Sequence, residues 1–171
     1  MKYFTTNWRL DSEGNMEKMK EAGRKYEEYW DFVQAQLPMD FAFRKESMHD
    51  SFIDNAYYEG NNFIMEIDSS HGYTDICKIT FKNAVIKAFE FHPNLSWQHT
   101  EVYLIDGRYD IQFLTQYGYR MYEENEIIAD DILIEREHRD YKAIARELMK
   151  KAEKYKTMYK DGMPDELPED N

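Results

Sequence analysis

The chain is poor in the residues that staple or punctuate a fold. Among 171 residues there are 1 cysteine, 4 prolines and 7 glycines. A lone Cys77 excludes an intramolecular disulfide and any metal site built only from cysteines. So little proline and glycine, beside 42% hydrophobic and 16% aromatic residues, excludes a collagenous or low-complexity chain. No run approaches the ~18 consecutive apolar residues of a membrane-spanning helix. The opening MKYFTTNWRL lacks the apolar stretch of a secretory signal. These absences predict a cytoplasmic protein. Positive charge is scarce too: 22 Lys and Arg face 34 Asp and Glu, a net charge of −12. That opposes nucleic-acid binding, which needs cations to neutralise phosphates. It favours a basic protein partner and would steer its approach. Phosphate-binding glycine loops, HExxH and GxSxG are all missing, so the sequence predicts no enzyme, no cofactor and no metal.

What remains is the material of one domain. The sequence predicts a single domain over residues 1–160 and an acidic disordered tail over 161–171. Met16, Met19, Gly23, Tyr26, Trp30, Val33 and Leu37 recur at spacings of 3 and 4, the stripe of a helix. Asn15 suits its N-cap, and Pro38 its end. From His49 to Glu137 the period falls to two, with turn residues between short runs. The runs 50–58, 63–68, 73–82, 84–91, 100–105, 108–116 and 126–136 read as strands, with another near 119–122. Asp106-Gly107 is the strongest hairpin signal, because both central residues of its turn need positive φ. Runs this close leave no room for crossover helices. A second helix fits residues 141–159, starting after Asp140 and ending before Gly162 and Pro164. The predicted fold class is therefore α+β: an antiparallel β-meander of six to eight strands, a long N-terminal helix packed on it, and a C-terminal helix.

Three groups could carry chemistry. His49-Asp50, with Asp54 beyond, has the residue types of an acid–base pair, but neighbours on a strand point to opposite faces. The oxygen-rich turn from Asp68 to Asp75, containing His71, could hold a cation, yet it lacks the pattern of a calcium loop. A polar turn bonding its own backbone is the commoner role. His92, His99 and Glu101 are zinc-ligand types without zinc spacing, and the segment around the two histidines reads as a loop. Cys77 alternates with Ile79 and Phe81 and is predicted to be an inward, inert thiol.

Charge is unevenly distributed. Residues 120–140 carry 3 basic and 8 acidic side chains, residues 141–160 carry 7 and 2, and residues 161–171 carry 0 and 5. Glu123, Glu124, Glu126, Asp130 and Asp131 are the candidate protein interface, an acidic patch on the last strands.

The segments MKYFT, His49-Asp50-Ser51-Phe52-Ile53, Tyr58-Glu59-Gly60-Asn61-Asn62, Thr74-Asp75-Ile76 and Ile79-Thr80-Phe81-Lys82-Asn83 together resemble a family of bacterial domains of unknown function. That family opens with MKYFT and carries a central HDSxI…TDIxKIxFxN sheet. More loosely, the HDxxI strand opening resembles small immunity proteins of polymorphic toxin systems. The resemblance supplies no catalytic residue. It implies a non-enzymatic binding protein, in the sharpest form an immunity or antitoxin-like inhibitor of a basic toxin domain, with no nucleic acid and no membrane as partner. Two alternatives stand beside it: a small ligand-binding sensor or hydrolase using His49 or His71 with a nearby Asp, and an acidic inhibitor from a phage or mobile element.

Overall fold

Alternating apolar residues build eight strands in the computed structural model, which describes residues 1–12, 15–37, 43, 48–72, 74–137 and 149–150. They are β1 Ser51–Glu59, β2 Asn62–Asp68, β3 Ile76–Lys82, β4 Val85–Ala88, β5 Leu95–Ile105, β6 Arg108–Gly118, β7 Met121–Ala129 and β8 Asp131–Arg136. Two helices precede them, α1 Thr6–Ser12 and α2 Met16–Val33. Residues 1–137 form one compact unit, which holds all of these elements, and residues 138–171 form another. The C-terminal helix and acidic tail predicted there lie outside the described residues, except that Met149 and Lys150 are helical. No helix among the described residues is long and apolar enough to cross a membrane.

The class is α+β, and every strand pair is antiparallel. The order is β4-β7-β6-β5-β1-β2-β3-β8. This is two meanders, β1–β2–β3 and β5–β6–β7, joined by a β1–β5 pairing, rather than one. The ends of the order are covalently linked. β3 and β4 are halves of one bent strand, with Asn83 at φ 48° in the bend. β7 and β8 are likewise parted only by Asp130. Lys82 pairs with Asp131 before the bend, and Val85 with Ile128 after it. The sheet therefore closes into a ring of six long strands. Asp106 and Gly107 take φ 51° and 77° in the β5–β6 turn, as its type I′ signature requires.

The interior receives one phase of every long strand. Ile53, Met65, Phe81, Trp97, Phe113 and Ile127 are all buried in one cluster. Trp97 stacks on Phe113 at 4.1 Å, and Phe89 bridges Phe63 of β2 to Phe113 of β6 at 5.5 and 6.1 Å. Each such side chain stabilises the fold by ~1.5–3 kcal/mol through burial. A one-residue slip of any strand would expose its whole set, which is what holds the register. Cys77 departs from the expected phase. The ladder shifts between Ile76 and Lys78, so Ile76 takes the inward position and Cys77 is only half-buried.

α2 begins where Asn15 Oδ1 accepts the Lys18 N–H at 3.2 Å. Its outer face carries the ion pairs Glu21–Lys25 and Arg24–Glu28, at 2.6 and 2.5 Å. Val33 is buried, and Tyr29 and Trp30 pack on the core, but Met16 at the start of the stripe is 63% exposed. The helix gives way after Val33 to a tighter turn, Gln34–Gln36, and Leu37 is extended at ψ 147°, as a residue before proline prefers. α2 also serves an edge. β1 meets β5 only over Ser51–Ile53 and Leu95–Trp97. Farther along β5, the Val102 N–H donates to the Tyr26 hydroxyl, and the Tyr29 hydroxyl donates to the Val102 carbonyl, both at 3.2 Å. Two tyrosines thus replace the missing strand at that residue.

Candidate functional site

His49 and Asp50 do not lie on a strand. They form the turn that opens β1, so the rule that neighbours diverge does not apply. Asp50 adopts φ 63°, a left-handed conformation that Asp tolerates better than most residues. Its N–H donates to the Trp97 carbonyl at 2.9 Å, and the Ser51 N–H closes the turn on the Met48 carbonyl at 3.0 Å. The tight backbone turns the two side chains together, and His49 Nδ1 lies 3.0 Å from Asp50 Oδ2.

A second turn packs against this one. Ser70 donates its N–H to Asp68 Oδ1 at 2.8 Å, and Gly72 donates to the Ser69 carbonyl at 3.0 Å. Residues 68–72 are thus a polar turn satisfying its own backbone. Gly72 allows the close approach. A Cβ there would collide with Ser51 Oγ and lie 3.2 Å from the His49 carbonyl and 3.3 Å from Ser51 N. The contact brings His71 beside β1, edge-on to Phe52 at 6.0 Å.

Arg9 of α1 supplies a third part. Its Nε donates to the Tyr122 hydroxyl at 3.2 Å, and its guanidinium lies 5.4 Å from the centre of that ring. Arg9, His49, Asp50 and His71 share an open cleft of about 650 Å³ with Phe52, Tyr117 and the amides of Asn94, Gln98 and Gln116. Two amides are fixed in place: Gln98 donates to Ser96 Oγ at 3.0 Å, and Gln116 to the Gly118 carbonyl at 2.9 Å. A neighbouring cleft of about 500 Å³ shares His71 and contains Asp54 and Asp68. Partial desolvation, then the charges of Asp68 and Glu66, raise the Asp54 carboxyl above its ordinary range.

The third predicted group is dispersed. His99 is in β5 rather than in a loop, because the strand starts at Leu95, earlier than the sequence suggested. Its ring stacks on Phe4 at 4.8 Å and meets Trp8 and His49 edge-on at 5.1 and 5.4 Å. Burial, then the nearby His49 and Arg9, lowers its pKa to about 4, so it is neutral at pH 7. Glu101 is fully buried and accepts three consecutive main-chain N–H groups, those of Lys2 at 2.8 Å, Tyr3 at 2.8 Å and Phe4 at 2.7 Å. The Tyr103 hydroxyl, raised by burial and by this carboxylate, donates to it as well. Glu101 is the anchor of the N-terminal segment. His92 stands apart, beside Glu123.

The acidic segment is spread over different surroundings. Glu124 Oε1 accepts the Thr6 N–H at 2.7 Å, and its Oε2 lies 3.3 Å from the Met1 ammonium. Asp130 pairs with Arg108 at 2.6 Å and Asp131 with Lys82 at 3.0 Å. Glu126 lies near Asp110, whose carboxyl is raised chiefly by burial. Sequence reasoning missed Arg9, which carries no local signal, and the part played by Glu101, which depends on a contact across 97 residues.

The described residues of this unit thus form a closed antiparallel sheet preceded by a helical N-terminal segment, an α+β architecture. The chain belongs to the family described as protein of unknown function (DUF4085), whose profile matches residues 1–122. That span contains every cleft residue named above. No curated protein and no solved structure matches the chain.

Proposed function

We propose that the domain binds a small anionic, hydrogen-bonding ligand, of the carboxylate or phosphate class, in the cleft between α1, the His49-Asp50 turn and the 68–72 turn. The observation that carries this reading is the convergence of polar side chains from separate segments: Arg9, His49, His71, Asn94, Gln98 and Gln116. Asp50 is the one carboxylate among the lining residues, and it is turned to His49. Concave sites with a few convergent polar groups are where small ligands bind. The reading is one of binding, with His49 oriented by Asp50 as the group that meets the ligand. Titration of the protein with a panel of small carboxylates and inorganic phosphate, followed by the ring signals of His49 and His71, tests it. Both signals should move together and saturate, and Arg9→Gln should weaken the response. A panel that moves neither signal sinks the proposal.

A second reading, that of an immunity or antitoxin-like protein holding a basic toxin domain, is supported by the net charge of −12 and by exposed apolar side chains. Tyr119, 85% exposed, and Met121 flank the turn beside the cleft residue Gly118. Glu123, Glu124, Glu126, Asp130 and Asp131 would steer such a partner. Charge reversal at Glu126, which leaves the contacts of Glu124 intact, should then slow association at low salt. An unchanged rate removes this surface from the reading.

A further inference from the structure

The segment after β4 runs on beside β7 and brings a histidine close to two carboxylates. Glu90, His92 and Glu123 each offer a ligand atom, and these atoms all lie within 4.8 Å of one another. No other such group of His, Cys, Asp or Glu occurs among the described residues. The histidine is held in place. Its ring stacks on Tyr117 at 4.4 Å, with the planes 23° apart. Its Nε2 is shielded from solvent and makes no hydrogen bond. Yet that nitrogen lies 3.3 Å from Glu123 Oε1. A buried ring nitrogen that approaches a carboxylate without hydrogen-bond geometry is unusual, because such an atom loses its water and gains no proton bridge in return.

The separation has a simple meaning if both atoms face a common ion. Two ligands of a tetrahedral zinc, at 2.0–2.2 Å from the metal, stand roughly 3.3–3.5 Å apart. Glu90, exposed on the loop, can close the remaining distance. Glu90, Glu123 and Glu124 border a cleft of about 420 Å³ that gives an ion and its water a way in. Imidazole nitrogen with two carboxylates suits a borderline cation. Calcium and magnesium prefer all-oxygen sites.

We infer that Glu90, His92 and Glu123 form a site for a single zinc-class divalent cation, with the fourth position left to water or a ligand. It adjoins the polar cleft through Tyr117 but does not rest on the function proposed for that cleft. It also runs against the sequence-based expectation of no metal, and it gives His92 partners other than His99 and Glu101, the residues weighed with it from the sequence.

The test is zinc titration of the full chain by calorimetry, with a competing chelator. The expected result is one tight zinc per chain, not displaced by millimolar magnesium or calcium. Glu123→Gln, Glu90→Gln and His92→Phe, which keeps the ring stack on Tyr117, should each weaken binding at least 10-fold. Glu90 is exposed, so its variant folds whether or not His92 tolerates change. Cobalt should give the visible absorption of a four-coordinate site in the wild type and lose it in His92→Phe. No stoichiometric zinc, or zinc bound equally well by Glu90→Gln and His92→Phe, overturns the inference.

Discussion

The carboxylate of Glu101 holds the main chain of Phe4, with an N–H to Oε1 distance of 2.7 Å across 97 residues of sequence. Because Lys2 and Tyr3 donate to the same side chain, one buried residue of β5 fixes the start of the chain against the sheet. Phe4 and Trp8 then cover His99. Hydrogen bonds to a charged group contribute about 1.5–3 kcal/mol each, and buried donors left unpaired add a desolvation cost. Glu101→Ala should lower stability by about 3 kcal/mol or more in urea unfolding and make the first residues susceptible to protease. A variant as stable as wild type would show that the N-terminal segment contributes nothing to the fold.

His99 makes stability depend on pH. Its folded pKa of about 4 lies below the ordinary histidine value of 6.5. The unfolded chain therefore takes up a proton first as pH falls. Stability from this residue is fully present above pH 6.5, declines between about 6.5 and 4, and is lost below. The full effect has an upper bound of about 3 kcal/mol. Urea midpoints measured at pH 7 and pH 4.5 should differ by less in His99→Gln than in wild type. Equal differences in the two proteins would place the acid sensitivity elsewhere.

Gly72 and Ser51 are a predicted coupled pair. Gly72→Ala drives a methyl group into Ser51 Oγ, and the turn carrying His71 must shift. The expected cost is about 1–3 kcal/mol, the range for overpacking. Ser51 Oγ is itself buried without a hydrogen-bond partner, so Ser51→Ala removes the obstacle at little cost. The double variant should recover much of the stability lost in Gly72→Ala. Strict additivity in the double-mutant cycle would mean that the turn yields in some other direction.

The tyrosines over β5 can be read through exchange. Tyr26→Phe removes the acceptor of the Val102 N–H, and Tyr29→Phe removes the donor to its carbonyl. Each should cost about 1 kcal/mol. Only Tyr26→Phe should speed hydrogen exchange at the Val102 amide. Equal protection in both variants would show that the amide is shielded by burial alone.

What the sequence revealed came from local chemistry. Asp106-Gly107 predicted its hairpin because positive φ is a property of those two residues. Asn15 predicted its cap for a similar reason. Alternation placed Ile79 and Phe81 inward, but it failed at Cys77, where an irregularity in the ladder shifts the phase. His49 and Asp50 were singled out by type, while their convergence was hidden, because a turn rather than a strand carries them. His99 was misread as loop since the run around it, Ser96 to Thr100, is mostly polar. Its outer face is covered by Phe4 and Trp8, far away in sequence. Glu101 illustrates the limit most clearly: a lone acid among β residues resembles a ligand or a surface charge, and only the folded chain shows three amides converging on it.

The two bent strands have a consequence for how the molecule meets its neighbours. An open sheet ends in a strand whose free main chain can recruit another copy. Here β3 with β4 and β7 with β8 pair with each other, so neither end of the strand order is left as a template. The weak seam is between β1 and β5, which share three residue pairs. α2 lies along that seam with Tyr26 and Tyr29 on Val102. The helix is thus a guard as well as a packing element, and its detachment would uncover an edge able to recruit a foreign strand.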